Sequence, residues 1–159
     1  MQKIITLISL ISILTLTSCQ SDSKDHLTLK VASGQELTIS VASTEEAKTK
    51  GLSGIQDKDY KNTQGMLFLY STDGFRRFWM PDTYFNLDIF FLDKEYVVLH
   101  IERDVKFHPG RAEPPTIPRT PPIFSRHVLE LKAASSFAKE IKKGDKLKFA
   151  GKLNLLQTK

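Results

Sequence analysis

The side chains best suited to chemistry lie in one short stretch, Trp79–Thr83 (WMPDT), and at Asp88 just beyond it. A strand that ends near Trp79 and breaks at a proline would place an indole, a hydroxyl and carboxylates at the rim of a β-fold. Such a set is typical of a small polar pocket. We therefore predict Trp79, Asp82, Thr83 and Asp88 as ligand-binding candidates.

The same residues also permit a purely structural interpretation. Trp79 and Met80 would then belong to the core, and Asp82 and Thr83 would form a turn through local side-chain hydrogen bonds. A structural Asp88 would accept hydrogen bonds from backbone N–H groups of the loop 82–86, because an ionised carboxylate in an apolar strand is costly without them. The sequence leaves both interpretations open.

Catalysis is the runner-up hypothesis. Two carboxylates can divide acid and base work when their environments separate their pKa values, so Asp82 or Asp88 could serve a small hydrolase or lyase. Spacing across a loop does not fix the distance between them, and the catalytic residues stay unknown. The chain has no nucleophile-elbow serine and no glycine-rich phosphate loop. The four histidines lack the close pairing of a metal site, so we predict neither a metal nor a cofactor.

The elements that must position these residues are mostly short strands. Apolar alternation predicts a hairpin from Leu27 to Val41, and further strands at 65–70, 77–80, 87–92, 96–101, 127–131 and 146–149. A short helix is expected at Thr44–Lys50, with Gly51 ending it, and a second from Ser135 or Ser136 to about Lys143. This pattern predicts a mostly β, compact single-domain fold, barrel-like or sandwiched, with two short helices.

Six of the seven prolines fall between Pro109 and Pro122, so this segment must be a loop. Its arginines could meet an anionic partner, which makes a protein-docking scaffold a third hypothesis. Alternatively, the prolines only keep a long connection from pairing with a sheet edge.

Several blocks in order resemble the DUF192 family, also called UPF0127, whose function is uncharacterised. The blocks are Val41–Glu46, Gly51-Leu52, Gly65–Phe68, Phe78–Thr83, Leu87–Asp93, Val128–Leu131 and Ile141–Asp145. Where the family commonly reads Trp-Met-Lys-Asn-Thr, this chain has Pro81 and Asp82. The resemblance implies a compact, mostly β domain, frequently exported, and it brings no established reaction.

The N-terminus carries the pattern of an export signal. Lys3 precedes an apolar run from Ile4 to Leu16, which is too short to span a membrane and is followed by Thr17-Ser18-Cys19. These residues resemble a bacterial lipobox, which implies cleavage before Cys19 and acylation of its thiol. We predict a signal peptide at 1–18, a lipidated tether at 19–26 and a DUF192-like domain at 27–159.

Removal of the leader would leave 22 basic and 18 acidic residues, a formal charge of +4. Because Cys19 is the sole cysteine, acylation would leave no thiol for a disulfide or a catalytic nucleophile. We predict an envelope lipoprotein facing the periplasm or the exterior, a non-catalytic binding or accessory module. Its expected partners are the membrane, through the lipid, and a small polar ligand or an envelope protein, and not nucleic acid.

Overall fold

Short β-strands are the main regular structure of the described residues, as the apolar alternation predicts. The computed structural model describes residues 26–31 and 33–151. The strands are β1 (His26–Lys30), β2 (Glu36–Ala42), β3 (Gln64–Phe68), β4 (Gly74–Arg76), β5 (Leu87–Leu92), β6 (Val98–Val105), β7 (Ile123–Ser125), β8 (His127–Lys132) and β9 (Lys148–Ala150). The helices are α1 (Glu45–Lys50) and α2 (Ser136–Glu140), with a 3-10 turn at Asp57–Asp59.

Seven strands form one curled, half-barrel sheet in the order β6-β5-β8-β3-β2-β1-β9. Its β2–β3 pair is parallel and its other pairs are antiparallel. β4 and β7 form a separate two-stranded ribbon. The prediction of a mostly β, single-domain fold with two short helices is confirmed.

Both faces of the central sheet are covered. One face packs Leu29, Leu67, Phe90 and Leu129 into a cluster that includes residues of α2. The other face packs Phe68, Leu87, Ile89 and Phe91 against the segments that follow α1 and β4. As a result, β5 and β8 are buried at every position, and alternation along these strands separates two apolar layers rather than core from solvent.

The predicted strand at Arg77–Met80 is wrong, because β4 ends at Arg76. Residues 77–80 instead run beside the proline-rich loop, where Trp79 forms an isolated bridge with Arg119. The N–H of Met80 donates to the carbonyl of Pro118 (3.1 Å), and a proline has no N–H with which to extend the ladder.

Other boundaries shift by a few residues. α2 ends at Glu140 rather than near Lys143, and the last strand begins at Lys148 rather than at Lys146. The predicted loop at 109–122 contains no strand or helix. Cys19 and the predicted leader lie outside the described residues. Within those residues, no helix is both long enough and apolar enough to cross a membrane.

Candidate functional site

Asp88 is held in an ion pair at one end of the sheet. Its Oδ2 accepts from Nη1 of Arg103 (2.5 Å) and its Oδ1 from the N–H of Asp104 (2.8 Å). The same guanidinium donates to the carbonyls of Ala138 (2.5 Å) and Ile141 (2.6 Å), so it joins β5 and β6 to the end of α2. The carboxylate is therefore anchored by β6, and not by N–H groups of the loop 82–86 as the structural interpretation supposed.

Asp82 and Thr83 form a turn. Asp82 has a φ of 54°, its carbonyl accepts from the N–H of Gly54 (2.8 Å), and its carboxylate accepts from the hydroxyl of Tyr84 (2.9 Å). The Thr83 hydroxyl donates to the carbonyl of Met80 (2.9 Å) and accepts from the N–H of His108 (3.1 Å). These bonds dock the turn onto the start of the proline-rich loop.

A cavity of about 180 Å³ opens between the end of α1 and the segment 77–83, and Trp79 and Thr83 both line it. Its other apolar and aromatic lining residues are Leu52, Phe68, Tyr70, Phe78, Met80, Pro81 and Leu87. Asp82 and Asp88 do not line it, because Asp82 turns toward Tyr84 and Asp88 projects from β5 on the face opposite Leu87. The four predicted residues therefore do not converge, and only two of them share a cavity.

The α1 wall of the cavity is fixed by the ends of the helix. Thr44 caps the N-terminus by accepting from the N–H of Ala47 (3.1 Å). At the other end Gly51 has a φ of 49°, and a Cβ added there would lie 3.3 Å from Cζ of Phe68. The positive φ thus favours glycine at this position, and the close approach of α1 to β3 leaves little room for a side chain.

Glu130 is a site residue that the sequence pattern did not predict. It lies on β8 opposite Met66 and Ile89 of the neighbouring strands, it is only 4 % exposed, and it lines the cavity. Among the residues that the structure describes, its carboxyl group forms no hydrogen bond and no ion pair. Burial raises the pKa of Glu130 to about 8, because the charged form loses its hydration.

The nearest cation on the same strand face is already engaged. Lys132 lies two residues along β8, where it pairs with Asp57 (2.6 Å) and donates to the carbonyl of Tyr60 (3.0 Å). The hydroxyl of Tyr60 is itself buried without a partner in the described part of the chain. Burial and the charge of Glu130 both raise the pKa of Tyr60. An unpaired acid and an unpaired hydroxyl thus lie within electrostatic reach of each other.

The mouth of the cavity is aromatic and basic. Trp79 is 48 % exposed, with the guanidinium of Arg119 5.6 Å from its ring centre. The Tyr70 ring contacts two cations, Nζ of Lys48 at 4.4 Å and the guanidinium of Arg76 at 3.8 Å. Aromatic surface and positive charge therefore meet at the entrance above a carboxyl group.

A second depression, of about 770 Å³, lies around Asp88 at the end of β5. It is larger, but each acid in its lining already has an ion-pair partner: Asp88 pairs with Arg103, Asp57 with Lys132, and Asp104 with Lys106. Paired groups leave little unsatisfied polarity for a ligand. The cavity that contains Glu130 is therefore the better candidate site.

No cluster of three or more His, Cys, Asp or Glu side chains suited to a metal occurs within residues 26–31 and 33–151. His100 pairs with Glu102 (2.7 Å), two residues along the same strand face. His127 accepts from the N–H of Tyr70 (3.3 Å) and stacks on Tyr96, and burial lowers its pKa to about 4. Both histidines thus have structural contacts.

Two solved structures resemble this fold. A protein from Sinorhizobium meliloti 1021, named a "putative transcription regulator", is 25% identical with a TM-score of 0.61, and the match covers 79% of this chain and 92% of that one. A protein of unknown function from Novosphingobium aromaticivorans DSM 12444 is 26% identical with a TM-score of 0.59, and the match covers 77% of this chain and 83% of that one. No curated protein matches the chain.

The family comparison covers nearly the whole described domain. Residues 27–149 match the family model DUF192, described as "Uncharacterized ACR". This range begins in β1 and ends in β9, and it includes α1, the segment 77–83 and β8, which together form the cavity. The chain therefore belongs to the DUF192 family.

Proposed function

We propose that this protein is a non-catalytic binding module that holds a small ligand in the cavity above Glu130. The observation that carries the proposal is a carboxyl group buried in the centre of a sheet, lining an open cavity, with no partner in the described part of the chain. A carboxyl group in this position can donate or accept a hydrogen bond, and no described residue provides the partner. A ligand in the cavity would provide it.

The size and walls of the cavity support a small ligand. A cavity of about 150 Å³ is enough to admit benzene, and this one measures about 180 Å³. The exposed face of Trp79 and the edge of Phe78 provide aromatic surface for a ring or an apolar chain. The ligand, or the part of it that enters, is therefore about the size of one ring.

A fragment screen by solution NMR tests this function. Trp79 is the sole tryptophan, so its indole N–H signal reports on the mouth of the cavity. We expect ring-sized fragments to shift this signal, and Thr49→Tyr, which narrows the mouth, to weaken their binding. Thr116→Tyr, at an exposed position outside the cavity, is the matched control. Fragments that bind elsewhere and never shift Trp79 would contradict the proposal.

We also propose that the module is tethered to the cell envelope through a lipid on Cys19. The support is the apolar run that ends at Leu16-Thr17-Ser18-Cys19 and the polar tether that follows it. A binding domain held near a membrane surface would face the periplasm or the cell exterior. Docking of an envelope protein through the loop 109–122 stays a separate proposal, supported by the exposure of residues 111–116.

A second candidate function is acid–base catalysis, and one observation favours Glu130 over Asp82 or Asp88 for it. An acid whose pKa is about 8 can both give and take a proton near neutral pH, whereas Asp88 is held by Arg103. Incubation of a bound fragment with the protein, followed by NMR, would reveal turnover. Turnover that Glu130→Gln abolishes would establish catalysis, and an unchanged bound fragment would favour the binding module.

A further inference from the structure

The cavity has an uneven distribution of charge. Lys48, Lys50 and Arg77 line it near its mouth, and Glu130 is the one acid that the described residues contribute to its lining. Lys48 is neutralised by Glu45 (2.5 Å). Neither Lys50 nor Arg77 has a carboxylate partner among the described residues, so two cations at the mouth are available to a ligand.

Arg77 is the better placed of these two cations. It is exposed, and its hydrogen bond within the described residues runs from Nε to the carbonyl of Thr120 (3.2 Å). This bond orients the side chain, and the two terminal amino groups donate no hydrogen bond to any described residue. A guanidinium held in this way suits the two oxygens of a carboxylate.

Glu130 is uncharged near pH 7, because burial raises its pKa and no neighbouring cation forms an ion pair with it among the described residues. On its own strand Lys132 is engaged by Asp57, and the adjacent strand positions, Met66 and Ile89, carry no charge. The other packed segments bring Tyr60, Tyr70, Lys48 and Arg77, of which the two tyrosines are uncharged at this pH. The cavity therefore presents positive charge at its mouth and an uncharged hydrogen-bond donor at its floor.

We propose that the cavity selects a small organic anion: a carboxylate bound by Arg77 and Lys50 at the mouth, with a ring-sized body that lies along Trp79 and reaches Glu130. The proposal rests on the proposed binding function and adds the class of ligand. A protonated Glu130 donates to an acceptor on the body of the ligand, whereas an ionised Glu130 would lose that bond and repel the anion. Binding of the anion is thus linked to the proton on Glu130.

Three matched probes test the class of ligand: 4-methoxybenzoate, 4-methoxybenzylamine and 4-methoxybenzyl alcohol, which share a ring and differ in charge. Binding is followed by the indole N–H signal of Trp79 in the full chain at pH 6.5. We expect the carboxylate to bind at least about tenfold more tightly than the amine, with the alcohol between them. Tighter binding of the amine would overturn the anion proposal while leaving a binding cavity in place.

The pH dependence gives an independent readout. Since burial raises the pKa of Glu130 to about 8, about one molecule in eleven keeps this proton at pH 9. The affinity for 4-methoxybenzoate should therefore fall about tenfold between pH 6.5 and 9 in the wild type. Glu130→Gln stays uncharged and should bind with little change over the same range. An affinity that rises with pH, or a fall that Glu130→Gln shares, would overturn the proposal.

Variants at the mouth separate charge from shape. Arg77→Gln should weaken the carboxylate about five- to tenfold and leave the alcohol unchanged, whereas Lys94→Gln, in the exposed turn between β5 and β6, should affect neither. Equal losses for both probes would contradict a charge-selective mouth. If none of the three probes shifts Trp79, the anion proposal fails, and the fragment screen alone decides whether the cavity binds any ligand.

Discussion

Replacing Glu130 by glutamine should change how the stability of the fold depends on pH. Burial raises the pKa of this carboxyl group from 4.5 to about 8 in the folded chain. Above pH 4.5 the unfolded chain loses the proton while the folded chain keeps it, so the stability falls as the pH rises toward 8. The glutamine side chain of the variant does not titrate, so the stability of the variant does not fall in this way as the pH rises.

The magnitude follows from the shift. Each pKa unit corresponds to about 1.4 kcal/mol, so full ionisation costs the wild type about 5 kcal/mol of stability and pH 7 already costs about 3 kcal/mol. Between pH 5 and pH 8.5 the variant should therefore gain about 4 kcal/mol relative to the wild type. The constant cost of burying an unpartnered amide cancels from this difference.

Urea unfolding of both proteins at pH 5, 7 and 8.5 measures the effect. Glu95→Gln is the matched control, because Glu95 is exposed and its pairing with Lys146 (3.5 Å) lies at the surface. Its stability should follow that of the wild type at all three pH values. If the free energies of unfolding of Glu130→Gln and of the wild type change with pH in the same way, the conclusion that Glu130 is a buried, uncharged acid is refuted.

Four further variants test the lipid anchor, the hydrophobic core and the Asp88 ion pair. Cys19→Ser should leave the membrane fraction or accumulate as a precursor in detergent phase partitioning, and a processed variant that still partitions with the membrane would contradict lipidation. Phe68→Ala or Ile89→Ala should each lower the free energy of unfolding by about 2 to 5 kcal/mol, because both side chains are buried; an unchanged urea midpoint would remove the residue from the core. Asp88→Asn should lower the melting temperature, because it leaves the guanidinium of Arg103 without its carboxylate; an unchanged melt would keep a ligand role for this residue open.

Local sequence patterns predicted most of the fold. The hairpin of β1 and β2, the helix α1 that ends at Gly51, and the strands β5 and β6 all depend on neighbouring residues, and the structure confirms them. The strand expected at 77–80 failed because its pairing partner is a proline-rich loop, which cannot continue a ladder.

The candidate site was predicted only in part, and alternation along a strand explains why. Leu87 and Asp88 are adjacent in sequence, yet they lie on opposite faces of β5, so one lines the cavity and the other pairs with Arg103. Spacing alone placed Asp88 in one cluster with Trp79 and Thr83, although it is Leu87 that faces the cavity they line. The sequence signal that could have identified Glu130 was its position as a single acid between two leucines of β8.

The sequence by itself determined the family blocks, the mostly β architecture and the pattern of an export signal, because each depends on residue types at short spacings. The burial of Glu130 was decided only by the tertiary structure. Along β8 the face formed by Val128, Glu130 and Lys132 has the polarity of a half-solvated strand. It becomes an interior because β8 lies third in a seven-stranded sheet and the segments after α1 and β4 cover that face. Contacts between residues far apart in the chain thus turn an ordinary surface pattern into a buried acid at the floor of a cavity.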